Sequence, residues 1–138
     1  MLKGLIYPDW EIIDNILKEA DFLGNGLDFG FTNHQTGVAG VYVNGQDLIF
    51  DELLYGRKFT NIMIANELKN LQIGNDEVIA DSAEPKSIEE IYQMGINIHD
   101  AIKGPDSVRA GINKIKEYNI KVTSRSRNLI RELKHYKW

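Results

Sequence analysis

The chain has 138 residues, of which 43% are hydrophobic and 26% are charged, with a formal net charge of −4. This length suits one domain with a real core, and the composition is too apolar for a disordered chain. The absence of cysteine excludes disulfides, thiolate nucleophiles and Cys-ligated zinc. No apolar stretch approaches the roughly 20 residues of a membrane span, so we expect a soluble, intracellular protein without membrane contact.

Residues 1–25 have the composition of a connecting arm that precedes the main fold. They contain Pro8, several acidic residues and a Gly-Asn-Gly breaker at residues 24–26. Within this arm, residues 10–14 (Trp-Glu-Ile-Ile-Asp) interleave apolar and acidic side chains in a roughly alternating stretch that could pair along a sheet edge. We therefore expect one principal domain over residues 26–138, with residues 1–25 as a linker.

Three strands are predicted next. The first covers residues 26–30, and the second and third cover residues 38–43 and 46–55. Between the last two stands Asn44-Gly45, a dipeptide that tolerates the positive φ values of a type I′ turn and is a strong hairpin signal. The three strands should therefore run antiparallel to one another.

Two helices separated by a strand follow the hairpin. Thr60 is placed to cap the first helix, with Phe59 and Ile64 as a hydrophobic staple. The strand covers residues 78–81, and Pro85 is at the first position of the second helix, which Gly95 ends. In the first helix Ile64, Ala65, Leu68 and Leu71 form one apolar face, and the second helix continues through Ile88, Ile91 and Tyr92.

The last third of the chain continues the alternation of strands and helices. A short strand is predicted over residues 97–101 and another over residues 120–123. The helix between them buries Val108, Ile112 and Ile115, and a final helix over residues 124–133 has inward positions Leu129, Ile130 and Leu133. Strands that follow a crossover helix tend to lie parallel in one sheet. The predicted fold is therefore α/β, a mixed sheet of three antiparallel strands and then parallel strands, flanked by helices.

Asp28 and Asp81 each stand at the end of a short apolar strand. If the two strands are neighbours, their backbones lie about 4.8 Å apart, and the two carboxylates repel unless a proton or a cation lies between them. Two Mg²⁺ ions held there could activate water and clamp a phosphodiester, with Asp28 bridging both ions and Asp81 binding one. The alternative for either residue alone is an ordinary turn or helix-capping role.

The net charge of −4 argues weakly against a polyanionic partner, but it conceals an asymmetry along the chain. Residues 1–102 carry 6 Lys and Arg against 17 Asp and Glu, whereas residues 103–138 carry 10 against 3. Such an asymmetry favours nucleic-acid contact by the basic part, although solvated helix faces also produce it. Arg125, Arg127 and Arg131 are spaced to give a basic helical edge for the DNA backbone.

Several segments together resemble the nuclease domain of phage terminase large subunits, which has an RNase H-like fold. They are Gly-Leu-Asp-Phe-Gly at residues 26–30 with the hairpin after it, Ala-Asp-Ser-Ala-Glu-Pro-Lys-Ser-Ile at residues 80–88, and residues 101–112. Residues 4–8 resemble the arm that joins the ATPase domain of that family to its nuclease. The resemblance covers most of the chain, and the segment at residues 80–88 is its most specific part.

The resemblance implies an endonuclease that cuts concatemeric viral double-stranded DNA with two divalent ions, Mg²⁺ or Mn²⁺. It implies Asp28 and Asp81 as catalytic metal ligands, and a missing ATPase domain, a small terminase subunit and a portal as partners. It also implies location in the cytoplasm of an infected or prophage-carrying bacterium. The family has a third essential aspartate beyond the point where this chain ends, so we expect a truncated domain with weak or absent cleavage.

The sequence allows two roles for each of several other residues, and it allows other functions. Glu84 could reach the metals directly or through water, or it could cap the helix that Pro85 begins. Lys86 and Lys103 could hold phosphates or be ordinary solvated lysines. The main alternative function is a catalytically inactive RNase H-like module that binds DNA or a protein partner. An actin-like phosphotransferase would need a second glycine-rich nucleotide loop, which is not found in the sequence. The P-loop motif of ATPases is also absent.

Overall fold

A computed structural model describes residues 10–30, 35–80, 84–100 and 117–135. These residues form a seven-stranded sheet and three helices, none of them long and apolar enough to cross a membrane. The elements in chain order are β1 (Trp10–Ile13), β2 (Asp21–Asp28), β3 (Thr36–Asn44), β4 (Asp47–Gly56), α1 (Asn61–Asn70), β5 (Val78–Ala80), α2 (Pro85–Gln93), β6 (Ile98–Asp100), β7 (Asn119–Thr123) and α3 (Arg127–His135).

The sheet has the strand order β1-β7-β4-β3-β2-β5-β6. Strand β3 is antiparallel to both of its neighbours, whereas every other adjacent pair is parallel. The hairpin thus supplies the antiparallel part, and the strands that follow helices supply the parallel part. The prediction of a mixed α/β sheet flanked by helices is confirmed.

The described part of the predicted arm contributes two pieces of the sheet. Strand β1 lies at the edge beside β7, as the alternating pattern of residues 10–14 suggested. Strand β2 begins at Asp21 and runs across the boundary between residues 25 and 26, so its predicted start was wrong by five residues. The reason is that Gly24, with φ +137°, forms an irregularity inside the strand and does not end it.

The turn of the hairpin is displaced by one residue from the prediction. Asn44 and Asp47 are the last cross-strand pair, so the two-residue loop is Gly45-Gln46. Gly45 has φ +60°, and Gln46 does not have a positive φ. A positive φ at the first loop position alone is the pattern of a type II′ turn, so the predicted type I′ turn was wrong.

Helices α1 and α2 cover one face of the sheet and enclose the larger core. Thr60 caps α1, as predicted, because its Oγ1 accepts a hydrogen bond from the Met63 amide at 3.1 Å. The buried side chains of this core include Leu27, Val38, Ile64, Ala65, Leu68, Val78, Ala80, Ile88, Ile91, Ile96 and Ile98. Leu71 is 40% exposed, so its predicted place on the buried apolar face with Ile64, Ala65 and Leu68 was wrong.

Helix α3 covers the opposite face and closes a smaller core. Val38 of β3 belongs to the first core and Val41 to the second, as expected for positions of opposite parity on a strand. Leu129, Ile130 and Leu133 pack against this second core, as predicted, with Leu48, Ile120 and Val122 buried beneath them. The predicted helix containing Val108, Ile112 and Ile115 lies outside the described residues.

Candidate metal centre and its cleft

Asp28 is the last residue of β2, and its strand lies directly beside β5. The two strands are parallel, with Leu27 opposite Ala80 and Gly26 opposite Ile79. Leu27 and Ala80 are the residues immediately before Asp28 and Asp81 in the sequence, so the predicted adjacency of their two strands is confirmed. Asp28 is exposed, and Asp81 itself lies outside the described residues.

Asp28 opens into a cleft of about 400 Å³ between the sheet and α3, called the Asp28 cleft below. Gly26 and Gly37 contribute to its floor, and a Cβ built at Gly26 would have no atom within 4 Å. The floor therefore leaves room for a ligand close to the backbone. Four polar side chains border the same cleft, namely Gln35, Glu52, Tyr55 and Glu132.

The two glutamates of the Asp28 cleft are engaged with neighbouring groups. Glu132 Oε1 accepts a hydrogen bond from the Tyr55 hydroxyl at 3.0 Å. Partial burial and this bond raise the pKa of Tyr55, since the phenolate would face a carboxylate.

Within the described ranges, no three His, Asp or Glu side chains are grouped closely enough to hold a metal ion.

Glu52 caps α3 from the neighbouring strand. Its Oε1 accepts a hydrogen bond from the Leu129 amide at 2.7 Å, and its Oε2 accepts from Asn128 Nδ2 at 2.9 Å. The Glu52 amide donates to Ser126 Oγ at 2.8 Å. These bonds satisfy an amide of the first helical turn and place a negative charge at the positive end of the helix dipole. Glu52 therefore fixes the α3 wall of the Asp28 cleft.

Asp51, the preceding residue, binds the turn before α3. It is 2% exposed and accepts hydrogen bonds from Arg125 and from Thr123 Oγ1, the latter at 2.7 Å. Because the Thr123 proton points to Asp51, Ser126 Oγ must donate in its 2.7 Å contact with Thr123 Oγ1. The bond to Asp51 and its charge raise the pKa of Arg125.

The prediction that Arg125 lies on a basic helical edge was wrong. Arg125 precedes α3, and both of its bonds to Asp51 are made by the guanidinium. Arg127 and Arg131 do lie on α3, are exposed, and are separated by about one turn. Sequence reasoning missed Asp51 and Glu52, although two adjacent acids inside the apolar run at residues 48–54 were a signal of buried partners.

The remaining predicted residues are distributed around other parts of the fold. Glu84 is at the N-cap position of α2, but its side chain makes no capping hydrogen bond, so the capping interpretation was wrong. It borders a second cleft, of about 370 Å³, together with Lys58. Lys86 is exposed in the first turn of α2, and Lys103 lies outside the described residues.

Comparisons with known proteins agree with this fold. A family model described as a terminase RNAseH like domain matches residues 28–138. The PBSX phage terminase large subunit of Bacillus subtilis (strain 168) is 34% identical over 93% of the chain, and the chain spans 32% of that protein's length.

Solved structures show the same similarity. The g2p (large terminase) nuclease domain of bacteriophage SPP1, described with bound Mn, has a TM-score of 0.82 and 26% identity, over 96% of this chain and 81% of that one. The P22 large terminase nuclease domain has a TM-score of 0.75 at 14% identity, over 96% and 78% of the respective chains, and so supports the fold alone. The chain therefore belongs to the RNase H-like nuclease domain family of phage terminase large subunits.

Proposed function

We propose that this domain is a divalent-metal-dependent endonuclease that cuts concatemeric viral double-stranded DNA during packaging. The observation that supports this most directly is the parallel pairing of β2 with β5, in which Leu27 lies opposite Ala80. The residues that follow them in sequence are the two aspartates, and neighbouring strands are about 4.8 Å apart. Asp28 already opens into a cleft with a glycine-containing floor.

The proposed metal ligands are Asp28 and Asp81, and the proposed cofactor is a pair of Mg²⁺ or Mn²⁺ ions. Carboxylate oxygens are the ligands that these hard cations prefer, and the exposed position of Asp28 suits such a role. The similar SPP1 domain, at 26% identity, is described with bound Mn. When bound, the ions would supply an activated water and neutralise charge on the phosphate. Glu84, whose carboxylate does not cap α2, is proposed to contact metal-bound water.

The DNA-binding surface is proposed to extend from α3 over the mouth of the Asp28 cleft. Arg127 and Arg131 are exposed on α3, the helix that also contributes Leu129 and Glu132 to the cleft. Lys86 and Lys103 are proposed as further phosphate contacts. Because these are contacts to the backbone, cleavage should show little sequence preference and affinity should fall steeply with salt.

The wider context is proposed from the family and from the length of the relative. The chain spans about a third of the PBSX terminase large subunit. We propose that the segment preceding β1 connects the nuclease to an ATPase domain, that the small terminase subunit and the portal are partners, and that the protein acts in the cytoplasm of the bacterial host.

The test compares Asp28→Asn with Asp21→Asn, its matched control at the other end of the same strand. Both residues are exposed aspartates of β2. Mn²⁺ binding is measured by calorimetry, and nicking of supercoiled plasmid is measured with Mg²⁺ or Mn²⁺. Asp28→Asn should weaken Mn²⁺ binding at least about tenfold. Even the loss of a residue that only hydrogen-bonds to a metal ligand costs about tenfold or more in metal affinity, and a direct ligand should cost no less.

Two outcomes would contradict the proposal. Equal metal binding by the Asp28→Asn and Asp21→Asn variants would remove Asp28 from the metal site. A wild-type domain that binds DNA but takes up no divalent ion would instead be the non-catalytic, DNA-binding module. Metal uptake is measured independently of cleavage, so a domain with low activity still gives a decisive answer.

A further inference from the structure

A glutamine and an arginine form a pair at the rim of the Asp28 cleft. Gln35 borders the cleft and stands one position beyond the last β3–β4 pair, Thr36 with Gly56. Arg57 occupies the corresponding position after β4. Only an oxygen can face two N–H donors, so the Gln35 amide oxygen is assigned to this contact. In that orientation it accepts from Arg57 Nε at 2.7 Å and Nη2 at 3.2 Å.

This pair positions the arginine and leaves its charge uncompensated by its partner. Gln35 is neutral, and among the residues that the structure describes no carboxylate forms an ion pair with Arg57. A guanidinium has five N–H donors, of which Gln35 takes two, so three remain for a ligand. Arg57 is exposed, which allows an anion to reach those donors.

The arrangement differs from that of the buried Asp51 pair on the same strand. Arg125 is bonded to a carboxylate that is 2% exposed, which explains its position without any ligand. Arg57 is held by the neutral amide of Gln35, which does not neutralise its positive charge, and Gln35 borders the cleft that contains Asp28. A guanidinium that is fixed in place and has no ion pair with a described carboxylate suits the bidentate recognition of a phosphate.

We propose that Arg57 binds a backbone phosphate of the double-stranded DNA whose scissile strand enters the Asp28 cleft, with Gln35 as its positioning residue. This inference rests on the proposed function, because it takes Asp28 as the centre of the reaction. Arg57 grips the strand beside the reacting phosphate and fixes the register of the strand in the cleft. Such contacts to the backbone position the substrate and do not read the base sequence.

The experiment measures binding of a mixed-sequence DNA duplex across a range of salt concentrations, in an Asp28→Asn background that suppresses cleavage. Arg57→Ala should weaken binding about three- to tenfold at low salt and reduce the slope of log K against log salt by about 0.9. Lys69→Ala is the control, because it removes one exposed positive charge from α1, on the other face of the sheet. It should leave the slope unchanged.

Two substitutions of Gln35 test its positioning role separately. Gln35→Glu retains both bonds to Arg57 but neutralises its charge, so it should weaken DNA binding as much as Arg57→Ala. Gln35→Ala keeps the charge and removes the support, so the loss should be smaller. In the protein with Asp28 intact, Arg57→Ala should raise the KM for cleavage. Arg57→Lys should reverse part of that increase, because a lysine keeps the positive charge but lacks the two-pronged donor geometry of a guanidinium.

The outcomes separate this inference from the proposed function. Equal affinities and slopes for Arg57→Ala and Lys69→Ala would overturn the phosphate contact, and so would a wild-type domain that does not bind the duplex at low salt. Unchanged binding by Gln35→Glu would overturn the role of Gln35. In each case the effect of Asp28→Asn on Mn²⁺ binding still reports on the proposed metal site alone.

Discussion

The ion pair between Asp51 and Arg125 offers a test of whether Arg125 stabilises the fold or binds DNA. Asp51 is 2% exposed, whereas the side chain of Arg125 is 68% exposed. In Arg125→Ala the carboxylate would stay buried, with the Thr123 hydroxyl as its remaining donor in the described structure. Among the described residues, the variant therefore leaves the buried Asp51 carboxylate without a positively charged partner.

The expected cost follows from the burial of the two partners. Removing one member of a fully buried pair costs about 3–5 kcal/mol, because the other charge remains without compensation. Exposure of Arg125 allows water to reach this pair and screens it, which lowers the expected loss of unfolding free energy to about 1–2 kcal/mol. For a domain of this size the corresponding decrease in Tm is about 3–8 °C.

Urea denaturation of the wild-type and variant domains measures this loss. Arg127→Ala, a change of an exposed arginine on α3, should cost less than about 0.5 kcal/mol. Asp51→Asn keeps an acceptor for Thr123 while removing the charge, so the double variant Asp51→Asn/Arg125→Ala should lose at least about 0.5 kcal/mol less than the sum of the single losses. Equal stabilities for Arg125→Ala and Arg127→Ala, together with strictly additive losses, would refute the structural role.

Two further predictions concern the core and the hairpin. Leu68→Ala should cost about 2–5 kcal/mol of unfolding free energy because Leu68 is fully buried. Leu71→Ala, at a 40% exposed position near the same end of the helix, should cost less than about 1 kcal/mol. Similar losses for the two variants in urea denaturation would contradict the packing of α1. Gly45→Ala should cost about 1–2 kcal/mol of unfolding free energy because φ is +60° at that position. Gly26→Ala, in a strand with open space at the Cβ position, should be neutral or slightly stabilising. Thermal unfolding of both variants tests this, and a neutral Gly45→Ala would argue against the type II′ turn.

Much of the fold was predictable because local patterns and topology rules agree. The apolar runs identified the strands, Thr60 identified the start of α1, and the preference for parallel crossovers predicted that β5 would join the sheet. The errors occurred where one residue serves a different purpose from its usual one. Gly24 was interpreted as the end of an arm, but it forms an irregularity within β2.

The candidate site was predictable only in part. The strand-end position of Asp28 was visible in the sequence, because an acid after an apolar run needs compensation. The partners of Asp51 and Glu52 were not, since Arg125 and Leu129 are 74 and 77 residues away along the chain. Arg57 was also missed, because its significance depends on which residue faces it across the hairpin. Such pairings depend on strand register and loop geometry, which a single sequence does not specify.

Asp51 and Glu52 connect the stability of the domain to the shape of its cleft. As successive residues of β4 they point to opposite faces of the sheet, yet both bind the segment that leads into α3. Asp51 holds the turn through Arg125, and Glu52 holds the first helical turn through Leu129. Because α3 forms one wall of the Asp28 cleft, weakening either attachment should loosen that wall as well as lower stability. The cleft beside the proposed metal ligand Asp28 thus depends on α3, which Asp51 and Glu52 hold in place without binding the metal ions in the proposed scheme.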